Sequence, residues 1–221
     1  MIESCFRTHA ERAAAFDASD LYPVISSEFT LGRPVPEIFE AAARGGVGII
    51  QLREKNKGMK YLYDLAVACR PIANRYRILL MIDDHVDVAL AARADGVHLG
   101  QDDLPVAAAR ALAPELWIGH STHNLEEALA ARNSGTDCIN IGPVFATQTK
   151  NVQYPPVGVE AVARIAPQAG LPFTVMGGIK QHHIAELAAA GARHIAMVTE
   201  ITQAPDVEAR VRALRAEFRR G

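Results

Sequence analysis

Cysteine is scarce in this chain. Cys5, Cys69 and Cys138 are the only three, they lie far apart, and no C-x-x-C pair or metal-ligand spacing joins them. A disulfide framework is therefore excluded, and free thiols suit a reducing, cytoplasmic compartment. No apolar run approaches the roughly 20 residues of a membrane span, so no membrane partner is expected. Glu3, Arg7, Glu11, Arg12, Asp17 and Asp20 interrupt the first stretch of chain and leave no apolar core for a signal peptide. An excess of charge is missing too: the formal net charge is −2, which gives no electrostatic footprint for nucleic acid. His120/His123 and His182/His183 invite a metal reading, but no H-E-x-x-H or equivalent spacing supports it, and structural or solvated roles are expected. Finally, no G-x-G-x-x-G follows the first apolar run, which argues against an open dinucleotide-binding sheet.

What remains is a chain of 221 residues, 49% hydrophobic and 22% charged, enough for one domain with a substantial core. Short apolar runs alternate with longer amphipathic ones. Strands are expected near Leu21–Ser26, Gly48–Arg53, Ile78–Asp83, Gly96–Leu99, Trp117–Ser121, Cys138–Gly142, Pro172–Met176 and His194–Val198. Helical patterns follow each: Val35–Arg44, Met59–Tyr76, Val86–Arg93, Pro105–Leu112, Leu125–Ser134, Val159–Ala166, Ile184–Ala190 and Asp206–Arg219. Runs such as Ile78–Ile82 read as strands buried on both faces, as a parallel sheet requires. Gly45-Gly46, Gly135, Gly170 and Gly191 fit helix C-termini. Eight βα units in succession predict a closed (β/α)8 barrel over residues 21–221, an α/β fold of the TIM-barrel type. Residues 1–20 form an N-terminal extension with a short helix expected over Ala10–Phe16. No Pro/Ser-rich linker divides the chain.

The polar residues collect at the C-terminal ends of the expected strands, the face on which barrels of this kind build their sites. Gln51, Arg53, Glu54 and Lys55 close the second strand, Asp83-Asp84 the third, Gln101 to Asp103 the fourth, and Ser121 to His123 the fifth. Thr147 to Lys150 follow the sixth, Gly177-Gly178 the seventh and Val198-Thr199 the eighth. Asp84 and Asp103 lie on adjacent loops, where two carboxylates, waters and phosphate oxygens together suit Mg²⁺. Equally, aspartates before Pro105 and near helix starts read as N-caps. Arg53, Lys55 and Lys150 supply a planar fork and two mobile point charges for phosphate oxygens. Gly177-Gly178 allows close backbone approach to an anion, with the N–H groups of the following helix aimed at it.

Several stretches, in order, carry a resemblance: QLREK at Gln51–Lys55, DHVDVAL at Asp84–Leu90, ADGVHLGQDD at Ala94–Asp103 and STHNLEEA at Ser121–Ala128. GPVF at Gly142–Phe145, TQTK at Thr147–Lys150, GVE at Gly158–Glu160 and GGI at Gly177–Ile179 continue it. Over nearly all of Leu21–Phe218 the chain resembles the thiamine-phosphate synthase family. The resemblance implies a (β/α)8 fold, Mg²⁺ as cofactor, a homodimer, and two phosphorylated small-molecule substrates. It implies the joining of 4-amino-2-methyl-5-(diphosphooxymethyl)pyrimidine to a thiazole phosphate with release of pyrophosphate. Carried over residue by residue, the pyrimidine diphosphate meets Gln51, Arg53, Lys55, Asp83, Ser121 and Lys150, of which Arg53, Lys55, Lys150 and Ser121 assist the chemistry. Asp84 and Asp103 hold the metal. Thiazole phosphate meets Thr147, Thr149, Gly178, Val198 and Thr199.

The chain departs from that pattern in two places that bear on the site. Asp83 stands where the family usually has asparagine, and it is expected either to face the diphosphate or to turn toward Arg53 or Lys55. Glu200 follows Thr199 where alanine is typical, and it is expected either to repel the phosphate or to point into a salt bridge. Two other activities are weighed beside the synthase: a thiazole tautomerase using His123, and a barrel that binds such precursors without turnover.

Overall fold

Both faces of each apolar run are covered, and this is why they pair as parallel strands rather than as hairpins. The computed structural model describes residues 2–147 and 154–219. Along the chain come α1 (His9–Asp17), β1 (Leu21–Ile25), α2 (Val35–Arg44), β2 (Ile49–Leu52), α3 (Met59–Tyr76), β3 (Leu79–Asp83), α4 (Val86–Ala91) and β4 (Gly96–Leu99). The second half continues with α5 (Val106–Leu112), β5 (Trp117–Thr122), α6 (Leu125–Ala131), β6 (Cys138–Ile141), α7 (Gly158–Ala169), β7 (Phe173–Val175), α8 (Ile184–Ala189), β8 (His194–Met197), α9 (Thr199–Thr202) and α10 (Val207–Phe218). All eight strands are parallel, and β8 pairs with β1 to close the barrel. The open doubly wound sheet is thereby excluded.

Strand alternation splits the core in two. Ile50, Leu52, Leu80, Ile82, Val97, Leu99, Ile118 and Ile139 point outward under the helices. Tyr22, Val24, Ile49, Leu79, Met81, Trp117, Cys138 and Ala196 fill the barrel interior, joined there by Phe6 and Phe16 of the extension. The extension thus plugs the base of the barrel. Thr8 caps α1 reciprocally with Glu11, and Phe16 packs at a tilt against Trp117 and His194, with ring centroids 5.1 and 4.3 Å away. Asp95 ties the same base together, accepting from Arg70 at 2.7 Å, from the Leu80 amide at 2.8 Å and from the Ser4 hydroxyl.

Element ends differ from the sequence expectation where local chemistry stops a helix early. α6 ends at Ala131 because the Ser134 hydroxyl takes the Ala131 carbonyl and Gly135 turns to φ +91. α4 ends at Ala91, two residues before Arg93 enters the left-handed region. α7 runs on to Ala169 through Pro167. The short helix α9 and the 3-10 turns at Ser27–Phe29 and Gln181–His183 carry no periodicity that a sequence reading detects.

Candidate active site

The β2 and β3 ends form one charged cluster. Gln51 is buried on β2, and its amide nitrogen donates to Asp83 Oδ1 at 2.6 Å. Asp83 Oδ2 lies 3.2 Å from Arg53 Nε and 3.6 Å from Lys55 Nζ. Lys55 also hydrogen-bonds Asp84. Burial alone would lower the Lys55 pKa, but the Asp83 and Asp84 carboxylates outweigh it and the ammonium is held above its usual value. Of the two expectations for Asp83, the turn toward Arg53 and Lys55 is the one observed. A carboxylate only accepts, so it fixes the Gln51 amide with its NH₂ toward Asp83. That leaves Gln51 Oε1 buried without a hydrogen-bond partner. Glu54 in the same stretch faces the other way, accepting from the Ser27 amide at 2.7 Å and hydroxyl at 2.8 Å.

The two aspartates expected to hold a metal do not cap helices, which corrects the capping alternative. The residue before α5 is Pro105, with no side-chain cap, and α4 likewise begins without one. Asp103 instead folds back to accept from the Gly100 amide at 2.6 Å. Asp84 sits at φ 62, unusual for a residue with a side chain, while its amide donates to the His98 carbonyl at 2.8 Å. Both carboxylates are therefore oriented by the rim itself. Hard oxygen donors on adjacent loops fit Mg²⁺, which needs only one or two carboxylates beside water and phosphate oxygens. Among the described residues no cluster of three or more His, Cys, Asp or Glu forms a metal cage.

At β5, the Ser121 hydroxyl lies 3.0 Å from His98 Nε2, and the Ser121 carbonyl accepts from Gln101 at 2.5 Å. His123 is packed rather than presented: its ring stacks on Tyr154 at 3.6 Å and its Nδ1 lies 2.8 Å from Glu127. That arrangement does not favour His123 as a free acid/base group.

The loops after β6, β7 and β8 enclose a separate cavity of about 40 Å³. Thr147, Gly178, Val198 and Thr199 all line it, together with Lys180 and Glu200. Gly177 and Gly178 take φ +105 and +64, and a Cβ on Gly178 would stand 2.3 Å from the Ala146 carbonyl oxygen. The close approach the glycines allow is thus partly to the protein's own β6 loop. No helix starts directly after them, because a 3-10 turn intervenes before α8, which corrects the expectation of a helix N-terminus there. Glu200 points into a salt bridge, with Lys180 at 3.1 Å and Arg210 in hydrogen-bond contact. Desolvation would raise its pKa, but the two cations prevail and hold it below the usual carboxylate value. Lys180 and Arg210 thus neutralise the one carboxylate in this cavity wall.

The rim therefore gathers Gln51, Arg53, Lys55, Asp83 and Asp84 in one network, with Asp103 and Ser121 on the next loops. Thr147, Gly178, Val198 and Thr199 are gathered in the second pocket. Thr149 and Lys150 lie outside the described residues. Two neighbours were missed from sequence. Lys180 directly follows the Gly-Gly-Ile run, and His98 alternates with outward Val97 and Leu99, so its inward direction is readable from the strand period.

The comparisons with known proteins follow the same geography. A family model described as thiamine monophosphate synthase matches residues 21–201. The chain is 43% identical over 199 residues to a thiamine-phosphate synthase of Pelotomaculum thermopropionicum, covering 90% of this chain and 91% of that protein. It is 44% identical over 197 residues to that of Shouchella clausii, covering 89% and 94%. A solved thiamine phosphate pyrophosphorylase from Pyrococcus furiosus superposes with a TM-score of 0.84 at 33% identity, over 91% of this chain and 96% of that one. This chain belongs to the thiamine monophosphate synthase family.

Proposed function

We propose that this chain is a transferase of thiamine biosynthesis that joins 4-amino-2-methyl-5-(diphosphooxymethyl)pyrimidine to thiazole phosphate. The bond between the pyrimidine methylene carbon and the diphosphate oxygen breaks, and pyrophosphate leaves with the electron pair. The thiazole nitrogen then donates its pair to the methylene carbon, giving thiamine phosphate. No general base is required, because the attacking nitrogen carries no proton to lose.

The observation that carries this reading is the joint Arg53–Lys55–Asp83–Asp84 network at one end of the rim, with a second pocket two loops away whose one carboxylate, Glu200, is neutralised by Lys180 and Arg210. Arg53 and Lys55, with Lys150 from the β6 loop, neutralise charge as the diphosphate departs, and Ser121 donates a hydrogen bond to it. Gln51 Oε1, a buried acceptor lacking a donor, takes the exocyclic amino group of the pyrimidine. Thiazole phosphate is anchored by Thr147, Thr149, Gly178, Val198 and Thr199, and the distant anchor holds the nucleophile beside the methylene carbon. Asp84 and Asp103 would hold Mg²⁺, which when bound would supply electrostatic stabilisation of the leaving group. Lys55 hydrogen-bonds Asp84, so its ammonium would neighbour a cation held there. Homodimer assembly and a cytoplasmic location come with the family resemblance and complete the proposal.

The test is metal dependence with the fold watched in parallel. EDTA should abolish thiamine phosphate formation without changing the circular dichroism spectrum, and Asp103→Asn should raise the Mg²⁺ concentration needed for half activity at least tenfold. Full activity in EDTA would remove the metal from the account.

A further inference from the structure

The barrel interior holds a histidine that the proposed chemistry does not use. His98 is 6% exposed on β4, and its Nε2 sits 3.0 Å from the Ser121 hydroxyl on the neighbouring strand. The contact depends on Gly119, which stands opposite His98 in the β4–β5 register. A Cβ at 119 would lie 2.5 Å from His98 Nδ1 and 3.3 Å from its Cε1. The missing side chain therefore lets the imidazole lie against the β5 backbone and reach Ser121, two residues further along the same inner face.

We propose that His98 is a positioning residue that donates from Nε2–H to Ser121 Oγ and so directs the serine proton toward the leaving diphosphate. The argument is one of donor counting. A hydroxyl has a single proton and two acceptor sites. Diphosphate only accepts, so Ser121 must give that proton to it, and the partner at 3.0 Å must then be the donor. Neutral imidazole protonated at Nε2 meets this need, and a chain of two aligned hydrogen bonds strengthens both members. His98 does not touch substrate; it acts through Ser121. The inference rests on the proposed role of Ser121 at the diphosphate.

The experiment is a double-mutant cycle read in pyrophosphate release, with the pyrimidine diphosphate varied at saturating thiazole phosphate. His98→Leu should lower kcat about tenfold, with the KM for the pyrimidine diphosphate within about threefold of wild type, because the loss falls mainly on charge that develops in the transition state. Ser121→Ala should lower kcat about tenfold to a hundredfold. The double variant should be no slower than Ser121→Ala alone, since His98 has nothing left to orient. His98→Gln, whose terminal amide carries a donor to the position of Nε2, should recover most of the rate, whereas the shorter His98→Asn should not. If the leucine variant fails to fold, the glutamine–asparagine difference decides the matter. Multiplicative losses in the double variant, or equal rates for the glutamine and asparagine variants at wild-type Tm, would overturn the positioning role. Wild-type protein that releases no pyrophosphate would refute the activity and this role together; normal wild-type turnover with silent His98 variants would refute this role alone.

Discussion

Replacing Asp83 by asparagine isolates one consequence of the rim network. The carboxylate holds Arg53 at 3.2 Å and Lys55 at 3.6 Å, the two cations that must turn to the leaving diphosphate. At an effective dielectric of 20, each unit-charge pair at such a distance attracts by about 5 kcal/mol before desolvation is deducted. Both contacts are ion pairs without a hydrogen bond, so net of desolvation and screening each contributes about 1 kcal/mol, and Lys55, the more exposed partner, less. Substrate must displace part of this. Asparagine keeps an oxygen for the Gln51 amide at the position now 2.6 Å away, so the packing survives while the competing charge goes. Since about 1.4 kcal/mol is a factor of ten, Asp83→Asn should lower the KM for the pyrimidine diphosphate by up to about tenfold. Initial rates at saturating thiazole phosphate and Mg²⁺ measure it, with Tm as the folding control. An unchanged or raised KM, or lost activity at unchanged Tm, would show that Asp83 aids the substrate directly and would refute the reasoning.

Other outcomes follow from single contacts. Gly178→Ala places a Cβ 2.3 Å from the Ala146 carbonyl oxygen at φ +64; it should raise the KM for thiazole phosphate at least tenfold and leave that for the pyrimidine diphosphate within about threefold, and steady-state kinetics with each substrate varied checks both. Phe16→Ala empties a fully buried site at the barrel base, far from the rim; it should cost about 3–5 kcal/mol, a fall in Tm on the order of 10 °C, with kcat below the transition retained. Burial lowers the His194 pKa below 6.5, against the opposing bond to the Ser19 carbonyl at 2.8 Å. A base depressed in the fold contributes stability that is intact above the unfolded pKa and is lost as pH falls through the folded one. Tm should therefore drop between pH 7 and pH 5, and His194→Asn should flatten that slope; parallel slopes in a thermal titration would contradict it.

Much of the barrel was legible because both strand faces are apolar and each return carries a glycine or a short polar turn. Met59–Tyr76 and Val35–Arg44 were bounded to the residue, since a single Gly or a Pro precedes each and a defined stop follows it. The rim network was legible as a set of residue types at strand ends, but not as a set of contacts. Nothing in the order Gln51, Arg53, Asp83 tells which cation the aspartate faces; that depends on the β2–β3 register, where Gln51 stands opposite Met81. Glu200 illustrates the same limit. Its pairing with Arg210 and Lys180 requires α9, α10 and the β7 loop to meet, and α9, of four residues, is too short to show a period. His98 was readable from alternation, yet its bond to Ser121 depended on a glycine in the neighbouring strand.

The central claim is that the rim releases pyrophosphate in making thiamine phosphate, and its most direct test is to follow both products together. Purified protein with Mg²⁺ and the pyrimidine diphosphate should form thiamine phosphate and pyrophosphate in equal amounts once thiazole phosphate is added, and no thiamine phosphate without it. Binding of both substrates with no pyrophosphate released, or isomerisation of the thiazole phosphate alone, would contradict the account.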